Sequence, residues 1–244
     1  MDLDKLQQNW DQLGREDPMW AILADPTQHG NKWDREAFFA TGREHVGEIL
    51  AELEAAGASP EPGRALDFGC GVGRLTQALA ATFAEVDGVD IAPSMIEQAN
   101  GFNPDPARIR FHLNGRPDLA LFGDATFDFL LSLIVLQHIE NRYKAGYLRE
   151  FVRVLRPGGV AVFTVPSHPA WTARGVIYRL VPNPLLNLWR KRQYGYEGVM
   201  ELHGMPRAEV ESAVRAAGGE LVRVVDEPLL GTDWRSYRYT VRKP

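Results

Sequence analysis

The chain has 244 residues, 45% apolar and 24% charged, proportions that suit one α/β domain with an added cap. Its net charge of −5 argues against a nucleic-acid surface, which needs a clustered basic footprint. A single cysteine, Cys70, leaves no disulfide framework and no thiolate metal cluster, and no run approaches the ~18 apolar residues of a membrane span.

Met1 to Trp10 carry neither a basic n-region nor an apolar h-region, so a cytoplasmic location is expected. Residues 1–57 read as a helical N-terminal cap anchored by scattered apolar residues (Trp10, Leu13, Trp20, Ile22, Leu23, Trp33, Phe38, Phe39) and broken at Pro18, Pro26 and Gly30. A core follows over 58–166. Its first strand, at Ala65–Phe68, runs into the turn Gly69-Cys70-Gly71-Val72-Gly73, and a helix extends from Arg74 to about Phe83. A second strand at Glu85–Ile91 contains Asp90, and Pro93 opens the next helix. The third strand is Ile109–Leu113, ending in Asn114-Gly115. The fourth begins in the apolar run Phe127–Leu136, whose second half could already be loop or helix. A helix over Arg142–Leu155 stops at Arg156-Pro157-Gly158-Gly159, and a fifth strand, Val160–Val165, is closed by Pro166.

Residues 167–206 break this rhythm with aromatics, arginines and prolines, among them Trp171, Arg174, Tyr178, Arg179, Pro182, Pro184, Trp189, Arg190, Lys191, Arg192, Tyr194 and Tyr196. They read as a lid or acceptor insertion. Residues 207–244 close the chain with a helix over Arg207–Ala217 and strands at Leu221–Val225 and Ser236–Val241. Strand and helix alternate, which predicts an α/β, doubly wound, mostly parallel seven-stranded sheet.

The glycine spacing narrows the chemistry. A dinucleotide site wants G-x-G-x-x-G, but counted from Gly69 the sixth position is Arg74, and no Lys-Ser/Thr pair follows to make a phosphate loop. Asp90 lies 17 positions beyond Gly73 and can accept two hydroxyl protons in charge-assisted hydrogen bonds; it can equally cap the next helix. Asp87, three residues earlier, is expected on an exposed face.

The D-x-G-x-G-x-G pattern of Asp67, Gly69, Gly71 and Gly73 resembles the first motif of the class I S-adenosylmethionine-dependent methyltransferases. The likeness covers roughly Arg64 to Val165 well and the rest in outline, and it implies the Rossmann-like form of the sheet. It implies that the glycines lie under the methionine and ribose of S-adenosyl-L-methionine, with Asp67 near the amino-acid end, Asp90 on the ribose and Ile91 beside the adenine. Asn114 and Gly115 stand where the family often carries an acid and a small residue at the adenine edge; an Asn-Gly turn with no ligand role is the alternative. Ser132, Leu133, Gln137 and His138 resemble the stretch beneath the reactive sulfonium. The Asn/Asp-Pro-Pro-aromatic motif of DNA and RNA amino-methyltransferases is missing there, which favours a small-molecule acceptor.

His138 and His203 are the candidate bases, each with a purely structural alternative. Arg190-Lys191-Arg192 suit either a solvated face or an anionic group on the acceptor, and Trp33, Phe39, Gly42 and Arg43 are candidates to close over the cofactor. The expected activity is metal-independent methylation of an O, N or C nucleophile on a small molecule. The expected partners are that acceptor, no nucleic acid and no membrane, with room for a homodimer. An NAD-dependent oxidoreductase and a non-catalytic scaffold of the same fold are the alternatives.

Overall fold

A computed structural model describes residues 2–182, 185–186, 188, 192, 200–228 and 231–244. One seven-stranded sheet has the order β3-β2-β1-β4-β5-β7-β6. Its strands are β1 Arg64–Phe68, β2 Glu85–Asp90, β3 Ile109–Leu113, β4 Phe127–Ser132, β5 Leu155–Pro169, β6 Glu220–Asp226 and β7 Trp234–Arg242. The first five pair in parallel, and β7 runs antiparallel to both β5 and β6. The strand order reverses between β1 and β4, and the crevice outside the carboxyl ends of such strands is where open α/β sheets bind ligands.

Both faces of the sheet are covered, which explains why β4 is an unbroken apolar run apart from Asp128 and Ser132. Strand periodicity sends alternate residues to opposite sides. Leu130 and Phe163 pack with Tyr147 and Phe151 of α6 (Asn141–Val154) and Val210 of α8 (Arg207–Ala216). Phe129, Leu131 and Val162 pack with Leu75 and Leu79 of α4 (Arg74–Leu79) and with Ile49 and Leu53 of α3 (Arg35–Ala55).

The N-terminal cap is fastened to the core by side chains. In α1 (Leu3–Glu16), Asp11 accepts from Ser94 N through its carboxylate (2.8 Å) and from Ser94 Oγ through its carbonyl (2.8 Å). Gln98 Nε2 donates to Gly14 O (2.6 Å), and Gln7 Nε2 donates to Ile91 O at the end of β2 (2.9 Å). These bonds hold α1 along α5 (Pro93–Gly101), while α2 (Pro18–Ile22) contributes Trp20 and Ala21 to a third apolar cluster with Phe38 and Met95.

The second half of the run Phe127–Leu136 takes the loop alternative: the fourth strand stops at Ser132, and a short 3₁₀ turn covers Leu136–His138. Other boundaries differ from the sequence reading. The helix after the glycine turn ends at Leu79. Pro166 does not close β5. It sits beside a register shift between Pro166 and His168, where the missing N–H is tolerated, and pairing with β7 continues to Pro169. Asp87 is not exposed: at 1% relative exposure it accepts from Arg64 Nε (2.6 Å) and lies 2.7 Å from His112 Nε2, two partners supplied by the flanking strands. Burial acts to raise its carboxyl, but these two bonds outweigh it and hold the group below the usual carboxylate range. Pro184, Trp189, Arg190, Lys191, Tyr194 and Tyr196 lie outside the described residues.

Candidate functional site

Beyond the carboxyl ends of β1, β2 and β4 lies a cavity of about 380 Å³. Its floor is the glycine turn. Gly69 and Gly71 take positive φ of 79° and 53°, and a Cβ at Gly69 would run into Val135 while one at Gly71 would meet Ile22. Backbone N–H groups of Gly69 and Cys70 both donate to Val89 O (2.8 and 3.1 Å), which folds the turn over β2. Gly73, at φ 89°, starts α4 against the ring of Phe111 and does not line the cavity.

Among the described residues, three charged groups reach the cavity wall. Asp90 accepts from Gly71 N through Oδ2 and from Ala92 N through Oδ1, each at 2.9 Å, so it caps the following turn and still keeps a second lone pair on each oxygen. Burial raises its pKa against the pull of those N–H groups. Asp67, 1% exposed, accepts from Thr76 Oγ1 (2.7 Å), and burial pushes its carboxyl up to about 6 despite that bond and the nearby Arg74. Arg74, 2% exposed, reaches Thr41 Oγ1 and His45 Nδ1 through Nη1, both at 3.1 Å, while its Nε has no hydrogen-bond partner. Burial brings this guanidinium down to about 10. A buried cation on a cavity wall suits an anionic group on a ligand. The sequence reading gives Arg74 a place at the start of a helix and in breaking the dinucleotide pattern but no ligand role; its position directly after the third glycine is the available signal.

The remaining expected contacts divide. Ile91, Asn114, Leu133, Gln137 and His138 line the cavity with Asp67, Gly69, Gly71 and Asp90. Asn114 also forms a local turn, accepting from Arg116 N (3.1 Å) and donating to Asp118 O (2.7 Å). Gly115 stands outside the lining, beside Gln7. His203 does not reach the cavity. Its backbone N–H donates to Gln137 O (2.7 Å), its Nε2 lies 3.3 Å from Glu201 Oε2, and its carbonyl accepts from the buried ammonium of Lys144, whose pKa burial lowers to about 7.

His138 has a defined tautomer. Its Nδ1 lies 2.8 Å from the carbonyl oxygen of Glu201, which can only accept, so Nδ1 carries the proton. In the neutral ring Nε2 is then an acceptor, with Gln137 Nε2 at 3.1 Å and the Trp10 ring edge-on at 4.9 Å. Burial pushes the Cys70 thiol well above its usual range, which leaves it protonated and unreactive. Ile134, another wall residue, is held at φ 57°, unusual for a β-branched side chain, and its N–H donates to Thr164 Oγ1 (2.8 Å).

The cap closes the cavity, but through residues other than those expected. Leu6 and Trp10 of α1 and residues 21–24 line it. Trp33 packs against Phe38, Arg43 pairs with Glu36, Phe39 is buried in the cap cluster, and Gly42 lets α3 touch the backbone of Arg74.

Residues 66–163 match a family described as a methyltransferase domain. Over 143 residues the chain is 36% identical to a biotin biosynthesis bifunctional protein of Bordetella avium, covering 57% of this chain and 30% of that protein. Over 105 residues it is 39% identical to a demethylmenaquinone methyltransferase of Tropheryma whipplei, covering 43% of this chain and 42% of the relative. The chain thus spans less than half the length of these two relatives. In three dimensions it resembles the magnesium protoporphyrin IX methyltransferase of Synechocystis, solved with bound SAH. The TM-score is 0.65 and the identity 18%, over 100% of both chains.

Proposed function

We propose that residues 66–163 form the core of a class I S-adenosylmethionine-dependent methyltransferase and that the protein methylates an O, N or C nucleophile of a small molecule. The observation that carries this reading is the meeting of the glycine turn, Asp90 and Arg74 at one cavity. The donor set fits the cofactor: Asp90 has lone pairs left for the ribose hydroxyls, and Ile91 and Asn114 flank a place for the adenine. The Arg74 guanidinium suits the methionine carboxylate, and Asp67 suits the ammonium. When bound, S-adenosylmethionine supplies a methyl group on a positively charged sulfur, already a strong electrophile.

The protein's own task is therefore to place the acceptor and, for a hydroxyl acceptor, to remove its proton. His138 suits that second role better than His203, because it lines the cavity and presents Nε2 as a lone-pair acceptor. The Gln137 amide now at Nε2 would yield its place to the acceptor hydroxyl. Leu6, Trp10, Ile22, Leu23, Met200 and Leu202 give the cavity an apolar wall, in keeping with an acceptor that has a hydrophobic ring or chain. The demethylmenaquinone relative fits that class by name.

The test is turnover. Purified protein is supplied with S-adenosylmethionine and a panel of phenols, quinols and amines, and release of S-adenosylhomocysteine is measured. One acceptor class should turn over, and with a hydroxyl acceptor His138→Asn should lower kcat by roughly 10²-fold while cofactor affinity stays unchanged. Tight cofactor binding with no turnover of any class would favour the scaffold reading instead.

A further inference from the structure

Large apolar side chains exposed among the described residues concentrate in one segment: Trp171 (82% exposed), Ile177, Leu180 (76%), Leu185 and Leu188, against only Leu113 and Leu121 elsewhere. Ile177 and Leu180 are three residues apart on α7 (Ala173–Leu180) and share its outward face with the exposed Arg174, while Gly175 is buried against the body. Charge segregates in the same place: residues 167–182 carry Arg174 and Arg179 and no acid, in a chain of net charge −5. The Trp171 ring lies under the Arg179 guanidinium at 4.2 Å, pairing an amphipathic ring with a cation.

We propose that the outward face of α7, with Trp171 beside it, docks on an anionic phospholipid surface. Apolar side chains flanked by cations are the pattern of a segment that lies in a bilayer interface without crossing it. No described helix is long and apolar enough to cross a membrane. The expectation of no membrane partner rested on that kind of absence, which speaks to spanning and not to docking. Charge complementarity chooses the occupant: a second copy of this chain would set the same cations against each other, whereas anionic headgroups attract them. Tyr178, on the same helix, lines the cavity, so docking would bring the cavity wall near the membrane surface, where lipophilic small molecules partition. The docking stands independently of the methyl-transfer reading, because lipid binding is read without cofactor or acceptor.

Co-sedimentation with phosphatidylcholine vesicles, with and without phosphatidylglycerol, tests it on the full chain. Phosphatidylglycerol should raise the bound fraction sharply, and added salt should reverse the gain. Arg174→Ala should lower the partition coefficient about fivefold, and Leu180→Asp at least ~10-fold. Both sites are exposed, so circular dichroism should show the wild-type fold. Equal sedimentation with and without vesicles would overturn the proposal, as would binding indifferent to both substitutions. Concentration-dependent self-association abolished by Leu180→Asp, with no vesicle binding, would overturn it too and make the face a contact between copies.

Discussion

Asp67→Asn should stabilise the ligand-free protein at neutral pH while weakening its hold on the cofactor. The wild-type carboxyl is buried at 1% exposure, and its pKa is raised from 3.8 to about 6. Because the folded state keeps this proton to higher pH than the unfolded chain, Asp67 costs nothing below about pH 4. It destabilises the fold progressively as pH rises to about 6, since the unfolded chain ionises first. Two pH units at ~1.4 kcal/mol each give a penalty of ~3 kcal/mol at pH 7. Asparagine carries no charge, and its Oδ1 can still accept the bond that Thr76 Oγ1 now gives to Asp67. Urea unfolding of both proteins across this range checks the reasoning. The stability difference should be near zero at about pH 4 and grow to ~3 kcal/mol in favour of the variant above about pH 6.5. A difference that is flat with pH, or that shrinks as pH rises, would refute it.

Arg74→Gln should weaken S-adenosylhomocysteine binding by ~10–100-fold, the loss of a charge-assisted bond, yet leave 5′-methylthioadenosine, which lacks the amino-acid part, unaffected in competition titrations. Gly42→Ala would drive a methyl group into the Arg74 carbonyl and should cost ~1–3 kcal/mol in urea unfolding as α3 and α4 are pushed apart. Thr164→Val keeps the volume but strips the acceptor from Ile134 N–H. It should cost ~1–3 kcal/mol by the same measurement and raise the KM for the cofactor, because Ile134 lines the cavity at a strained φ.

What could be read from the sequence was local. The glycine turn announces itself because positive φ at Gly69, Gly71 and Gly73 is a backbone demand met by residue type, and Asp90 ends a strand whose parallel neighbours alternate with helices. What depends on distant pairing was not visible. Asp87 is buried because β1 brings Arg64 and β3 brings His112 to it, partners 23 and 25 residues away. His203 falls behind Gln137 because a backbone bond across 66 residues places it there. The cap meets the cavity through residues 21–24 and not through Trp33 or Arg43. Side chains of α1 and α5 decide how the cap docks, and no spacing within residues 1–57 encodes those bonds.

The central claim is that the cavity beside Asp90 holds S-adenosylmethionine. Calorimetric titration of S-adenosylhomocysteine into the wild-type protein and Asp90→Ala tests it most directly. Saturable binding of one equivalent is predicted for the wild type, no heat with NAD, and an affinity at least ~10-fold weaker in the variant, since two charge-assisted bonds are lost. No binding of S-adenosylhomocysteine by well-folded wild-type protein, or equal affinity in a folded Asp90→Ala, would contradict the account.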